Sequence, residues 1–162
     1  MKKKPGPCDC PRCRELCLGN PGWFLPGQAS RAAAHLGLTL ETFFDRYLIL
    51  EYLEGPFTET LSPRRFGQKR SEAYWGDIFL MGRCLLLGDS GCLLPPDLRP
   101  AECLSAFGCR PRRPGEKWRL PVAQPAWADH QEEIVQIRRH LKEKHDVAEH
   151  PSERQAGDRP AR

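Results

Sequence analysis

All eight cysteines of this chain fall into two short groups. Cys8, Cys10, Cys13 and Cys17 form the first, spaced C-x-C-x2-C-x3-C. Cys84, Cys92, Cys103 and Cys109 form the second, inside the run GRCLLLGDSGCLLPPDLRPAECLSAFGC. Thiols this dense constrain a fold strongly, because they must be paired, bound to metal or left open to oxidation. The redox compartment decides among these outcomes. Met1-Lys2-Lys3-Lys4 begins like a secretory leader, but Pro5-Gly6-Pro7-Cys8 follows where an apolar stretch would be needed. No run approaches the roughly 18 apolar residues of a membrane span. The expectation is a cytoplasmic protein with reduced thiols, where grouped cysteines read as metal-binding or catalytic before they read as disulfides. Close thiols of this kind suit zinc or an iron–sulfur cluster, and all-sulfur coordination does not separate the two. The two groups are expected to meet in space around metal, brought together by the middle of the chain.

The rest of the composition agrees with a small, stapled domain. The 162 residues favour one domain, 40% are hydrophobic, and 16 prolines with 14 glycines interrupt long elements. A core that thin calls for a staple. The formal charge of +4 is mild, and eight thiolates with two divalent cations would cancel it. The basic balance is therefore poor support for a nucleic-acid partner.

Along the chain, Trp23, Phe24 and Leu25 are core candidates. A helix opens at Pro26 or Gly27, with Ala29, Ala32, Ala33 and Leu36 on one face and Gly37 as its C-cap. Thr39 caps a second helix with Glu41 in its first turn, and Phe43, Phe44, Tyr47, Leu48 and Glu51 follow at helical period. Residues 52–72 read as irregular, with Arg64 and Arg65 in a solvated loop. Residues 73–81 read as a strand. Cys84-Leu-Leu-Leu and Cys92-Leu-Leu flank Gly88-Asp89-Ser90-Gly91, a hairpin with a four-residue loop whose register the sequence does not fix. Arg99 precedes Pro100 and is biased out of helix, so Pro100 starts a short helix over residues 100–107 that carries Cys103. A last helix runs from Pro125, with Trp127, Ile134, Ile137 and Leu141 as its stripe and Lys142 and Lys144 at its close. His35 reads as a helix-surface or core histidine. His140 and His145 are five apart and do not share a face.

Other chemistry is missing. There is no phosphate-binding glycine loop and no His-Glu-x-x-His. Gly88-Asp89-Ser90-Gly91 has the letters of a serine-protease nucleophile stretch, but the turn explains them. The basic run over residues 110–119 reads as a solvated linker, a phosphate-contacting strip or an offset to nearby thiolates.

The order Cys84-x7-Cys92-x6-Arg99-Pro100-x2-Cys103-x5-Cys109 resembles the second half of the YkgJ-type cysteine-cluster family, described as zinc- or iron-chelating. Further matches are Ser30-Arg31-Ala32-Ala33 before Leu36-Gly37, then Leu40-Glu41-Thr42-Phe43-Phe44, Arg46-Tyr47-Leu48, and Gly91 beside Cys92. The resemblance covers about residues 8–109. It departs in the first group, where the family reads C-x2-C-G-x-C-C. It departs also at Gln28, where an Asp is common, and at Leu93-Leu94, where an aromatic residue often stands. The resemblance implies metal chelation. A cluster of this type also occurs in the flagellin lysine N-methylase, so it admits an iron–sulfur-dependent enzyme of methyl-transfer or redox type, with no catalytic residue evident here.

The expectations are then an α+β fold: a small, mostly helical, metal-stapled domain with a short Cys-bearing β-hairpin and a C-terminal helix. Residues 1–125 would be the cysteine-cluster domain, 126–146 the helix packed on it and 147–162 a disordered tail. The cofactor would be Zn2+ or iron, as an ion or a [4Fe-4S] cluster, held by Cys8, Cys10, Cys13, Cys17, Cys84, Cys92, Cys103 and Cys109 in one site or two. Arg99 would donate to a sulfur or a carbonyl. The metal ion is the expected partner, a protein partner stays open, and no membrane is involved. A third reading is a partner- or nucleic-acid-binding module stabilised by structural zinc, using Arg110, Arg112, Arg113, Lys117 and Arg119 beside Trp118.

Overall fold

A computed structural model describes residues 14, 17–19, 22–53, 58–68, 82–100, 103 and 123–149. The expected strand over 73–81, the basic run over 110–119, Cys8, Cys10, Cys13, Cys109 and nearly all of the 100–107 helix lie outside the described residues, as does the tail beyond 149. The fold is α+β: helices packed with two short antiparallel hairpins.

Helix α1 spans Gln28–His35. Ala29, Ala32 and Ala33 are fully buried, at the i, i+3, i+4 spacing of one helix face. Their small side chains let helix α2, Leu40–Tyr47, approach closely. The turn between the helices is a Schellman motif: Leu38 N–H donates to Ala33 O at 3.0 Å and Gly37 N–H to Ala34 O at 3.1 Å. Gly37 sits at φ +68°, where a side chain would be strained. Thr39 Oγ1 then accepts from Thr42 N at 3.2 Å and starts α2 as expected. Phe43 and Phe44 go to the core, and Phe43 meets Phe24 edge-on with ring centroids 6.2 Å apart.

The helical period was expected to continue through Leu48 and Glu51. Instead α2 stops at Tyr47 and strand β1, Leu48–Leu53, begins at once. It pairs antiparallel with β2, Thr58–Pro63, from Leu48 opposite Pro63 to Leu53 opposite Thr58. This corrects the irregular reading of 52–72. Leu48, Leu50 and Leu61 share the core-facing side, by register and period two. The other face carries Ile49, Glu51, Thr60 and Ser62, also buried. Strand β2 looks polar in sequence because its hydroxyl residues alternate with a single leucine.

Arg64 and Arg65 are buried at 7% and 4% exposure, not solvated. The chain turns at Pro63 onto the C-terminus of α2, whose last carbonyls lack helical partners. Arg64 N–H donates to Tyr47 O at 2.6 Å and its Nη2 to Arg46 O at 2.9 Å. Arg65 Nη1 lies 3.6 Å from Glu51 Oε1, and Trp23 Nε1 donates to Glu51 Oε2 at 3.2 Å. The two arginines thus serve a helix end and a buried carboxylate.

The C-terminal part is two helices, not one: α3, Ala123–Asp129, and α4, Glu132–Glu149. The expected stripe survives the break at His130 and Gln131. Trp127, Ile134 and Ile137 are buried and Leu141 packs at the margin. Helix α4 runs on to Glu149, beyond the bound at 146. Its outer side is tied by Arg138 to Glu59, by Gln136 to Glu41, and by His140 and Lys144 to Asp45. Each such contact at or near the surface contributes little alone, but together they fix the helix register. No helix among the described residues is long and apolar enough to cross a membrane.

One contact of α4 was invisible in the sequence. Gly27, the N-cap of α1, offers no side chain, so the first amides of that helix need another acceptor. Glu133 supplies it from α4. Its carboxylate accepts from Gly27 N at 2.9 Å, from Ser30 N at 2.8 Å and from Ser30 Oγ. An anion at a helix N-terminus is favourable electrostatically as well. Glu133→Ala should therefore lower unfolding free energy by about 1–2 kcal/mol, measured by urea denaturation. Arg65→Ala, which leaves Glu51 buried without its cation, should cost about 3–5 kcal/mol, and the double change Arg65→Met with Glu51→Leu should recover much of it.

Candidate metal centre

The second cysteine group is laid out by two pairings. The hairpin proper is β3, Leu87–Gly88, against β4, Gly91–Cys92, with Leu87 opposite Cys92 and Gly88 opposite Gly91. Only Asp89 and Ser90 form the loop. The expected four-residue loop is corrected to two, with both glycines taken into the strands. Gly91 sits at φ +115°, which a β-carbon would oppose. Gly88 is tight too, since a β-carbon there would lie 3.2 Å from Leu93 Cδ2.

Cys84 is not on an arm of that hairpin. It forms an isolated antiparallel bridge with Arg65. Leu85 N–H donates to Arg64 O at 2.9 Å and Phe66 N–H to Arg83 O at 2.8 Å, so residues 83–85 run along 64–66. A tight turn follows, with Leu87 N–H to Cys84 O at 3.1 Å, and Leu93 N–H closes the far side on Leu86 O at 2.8 Å. Cys84 and Cys92 therefore reach the same region from a bridge and from a strand.

The last cysteine of the first group arrives at the same place. Cys84 N–H donates to Cys17 O at 2.6 Å and Gly82 N–H to Gly19 O at 3.2 Å. These two bonds lace residues 17–19 onto 82–84, joining the two groups through their backbones. Cys103, helical in conformation, completes the set. Its Sγ accepts a hydrogen bond from Gly22 N–H at 3.2 Å, across 81 residues of chain.

The electrostatics describe the same cluster. Cys84 is only 5% exposed, and burial pushes its thiol well above the usual range. The Leu86 amide opposes this by hydrogen bonding. Cys103, Cys17 and Cys92 reinforce it, each being near enough that its own negative charge would repel a Cys84 thiolate. No disulfide joins any of the four among the described residues, and the other three are half-buried. No group of three or more His, Cys, Asp or Glu among the described residues has the arrangement of a ready-made metal site. Cys17, Cys92 and Cys103 lie within electrostatic reach of Cys84.

Arg99 takes the extended conformation expected before proline, at φ −70° and ψ 152°. Of its two expected acceptors it uses the carbonyl: Nε donates to Leu94 O at 3.0 Å. Its Nη2 is buried and makes no hydrogen bond among the described residues. His35 and His140 stand elsewhere. His35 is exposed on α1, and His140 faces Asp45 at 3.1 Å. An open hollow between α2 and α4, with Glu41, Gln136 and His140 in its wall, includes none of the cysteines. Sequence reasoning missed the Gly22 amide and the Arg65 bridge, because a backbone N–H leaves no mark in a sequence and a buried arginine looks like a solvated one.

No protein-family model, curated protein or solved structure matches the chain, so the likeness to the YkgJ-type family rests on its motif residues. In metal-free, reduced protein, Cys84 should alkylate with iodoacetamide well over tenfold more slowly than Cys17, Cys92 or Cys103, and the difference should vanish in denaturant. Peptide mapping after timed labelling measures both.

Proposed function

We propose that this chain is a cysteine-cluster metal-binding protein that holds zinc or iron, the iron as an ion or as a [4Fe-4S] cluster. Cys17, Cys84, Cys92 and Cys103 form one four-sulfur site. Cys8, Cys10, Cys13 and Cys109 complete the donor set and supply a second site if two are used. The observation that carries the reading is the approach of Cys17, Cys92 and Cys103 to the buried Cys84, with the 2.6 Å hydrogen bond from Cys84 N–H to Cys17 O joining the two cysteine groups.

The donor chemistry fits. Four thiolates satisfy tetrahedral zinc and equally the four corners of an iron–sulfur cluster. Reduced thiols in this number suit a cytoplasmic protein. Arg99 Nη2, buried and without a hydrogen bond among the described residues, is a donor that a thiolate could use. Bound metal would neutralise sulfur charge and hold the segment at residue 17, the 82–86 turn, the hairpin and residue 103 together. The chain's own residues orient the donors: Arg65 holds the Cys84 strand by its bridge, and Gly91 permits the tight hairpin that carries Cys92. The metal ion is thus the first partner, and nothing in the site calls for nucleic acid.

Because such binding is coupled to folding, the metal should contribute to stability directly. Protein purified without oxygen should contain stoichiometric metal by elemental analysis, and a chelator should lower its melting temperature sharply. Colourless protein with zinc identifies a structural site. Brown protein with acid-labile sulfide identifies an iron–sulfur cluster. Metal-free protein whose melting curve ignores the chelator would overturn the reading.

A further inference from the structure

We propose that the backbone amide of Gly22 is a built-in positioning donor for the metal centre, fixing the sulfur of Cys103. This inference rests on the metal-binding reading and assigns a role to a residue with no functional side chain. Gly22 is buried, and its N–H donates to Cys103 Sγ at 3.2 Å. A neutral thiol sulfur is a weak acceptor, whereas a charged sulfur accepts much more strongly. A buried amide aimed at a cysteine sulfur is therefore better matched to a metal-bound thiolate than to a thiol.

The donor is also held firmly. Two residues on, Phe24 N–H donates to Leu61 O at 3.0 Å and Phe24 O accepts from Trp127 Nε1 at 2.7 Å. The segment carrying the amide is thereby anchored to β2 on one side and to α3 on the other. In metal sites, partners outside the ligand shell orient the ligands, and losing one typically weakens metal binding about 10–100-fold. Gly22 performs that task for Cys103, the ligand that comes from furthest along the chain among the described four. The Gly22 amide thus sets where Cys103 sulfur stands.

Cadmium-113 loaded into the full chain gives a direct test. The NMR spectrum of the 15N-labelled protein should show scalar coupling between the metal and the Gly22 amide proton, transmitted through Cys103 sulfur, together with slow exchange of that proton. Cadmium bound by four sulfurs with no coupling at Gly22 overturns the inference and leaves the metal site standing. Failure to bind cadmium at all overturns both. In parallel, Gly22→Pro removes the donor while Gly22→Ala keeps it. Zinc affinity measured by competition with a chromophoric chelator should fall about 10–100-fold for the proline variant and only a few-fold for the alanine variant. Equal affinities of the proline variant and the parent chain would contradict the role. If Gly22→Pro does not fold, the cadmium coupling decides.

Discussion

The peptide group on either side of Phe24 is the junction on which the described structure depends. Its N–H is bound to Leu61 O on β2 and its carbonyl to the indole of Trp127 on α3. Its ring is fully buried against Phe43 of α2. Three elements distant in sequence are thus satisfied by one residue, at a depth where an unpaired amide or carbonyl would cost about 1–3 kcal/mol. The same short segment offers the Gly22 amide to Cys103. Core and thiol cluster are therefore anchored to one piece of extended backbone.

Polar groups inside this small protein are arranged around that junction rather than excluded from it. Glu133 caps a foreign helix, Arg64 closes the end of α2, and Glu51 binds both Arg65 and Trp23. Each places a charge where backbone dipoles or an opposite charge receive it. Arg65 links this polar layer to the sulfur cluster, since it pairs with Glu51 by its side chain and with Cys84 by its backbone.

How much could be read in advance depended on whether the cause was local. Thr39, Gly37 and the alanine stripe announce α1 and α2, because caps and helical period act within a turn or two of chain. The strand after Tyr47 stayed hidden, since Leu48 and Glu51 fit the helical period and the partner strand lies ten residues on in polar sequence. Arg64 and Arg65 were misread for a related reason: their acceptors, Arg46 O and Glu51, are set by the tertiary turn at Pro63. The break at His130 carries neither glycine nor proline, so the Trp127 to Leu141 stripe read as one helix. At the cysteines, membership of two groups was legible, and among the described residues Cys17 does come to lie against Cys84. The geometry was not legible, because Cys84 is placed by a bridge to Arg65 and Cys103 by a backbone amide.

The capping of α1 by Glu133 has a consequence for biosynthesis. Gly27 and Glu133 are 106 residues apart in the chain. At the usual pace of translation, roughly 5–20 residues per second, the carboxylate is made about 5–20 seconds after the helix it caps. During that interval the first amides of α1 lack the carboxylate that caps them, while the thiols of the second group are being added to the nascent chain. Helix α4 therefore acts as a timer, and α1 becomes a finished element only once Glu133 has been made.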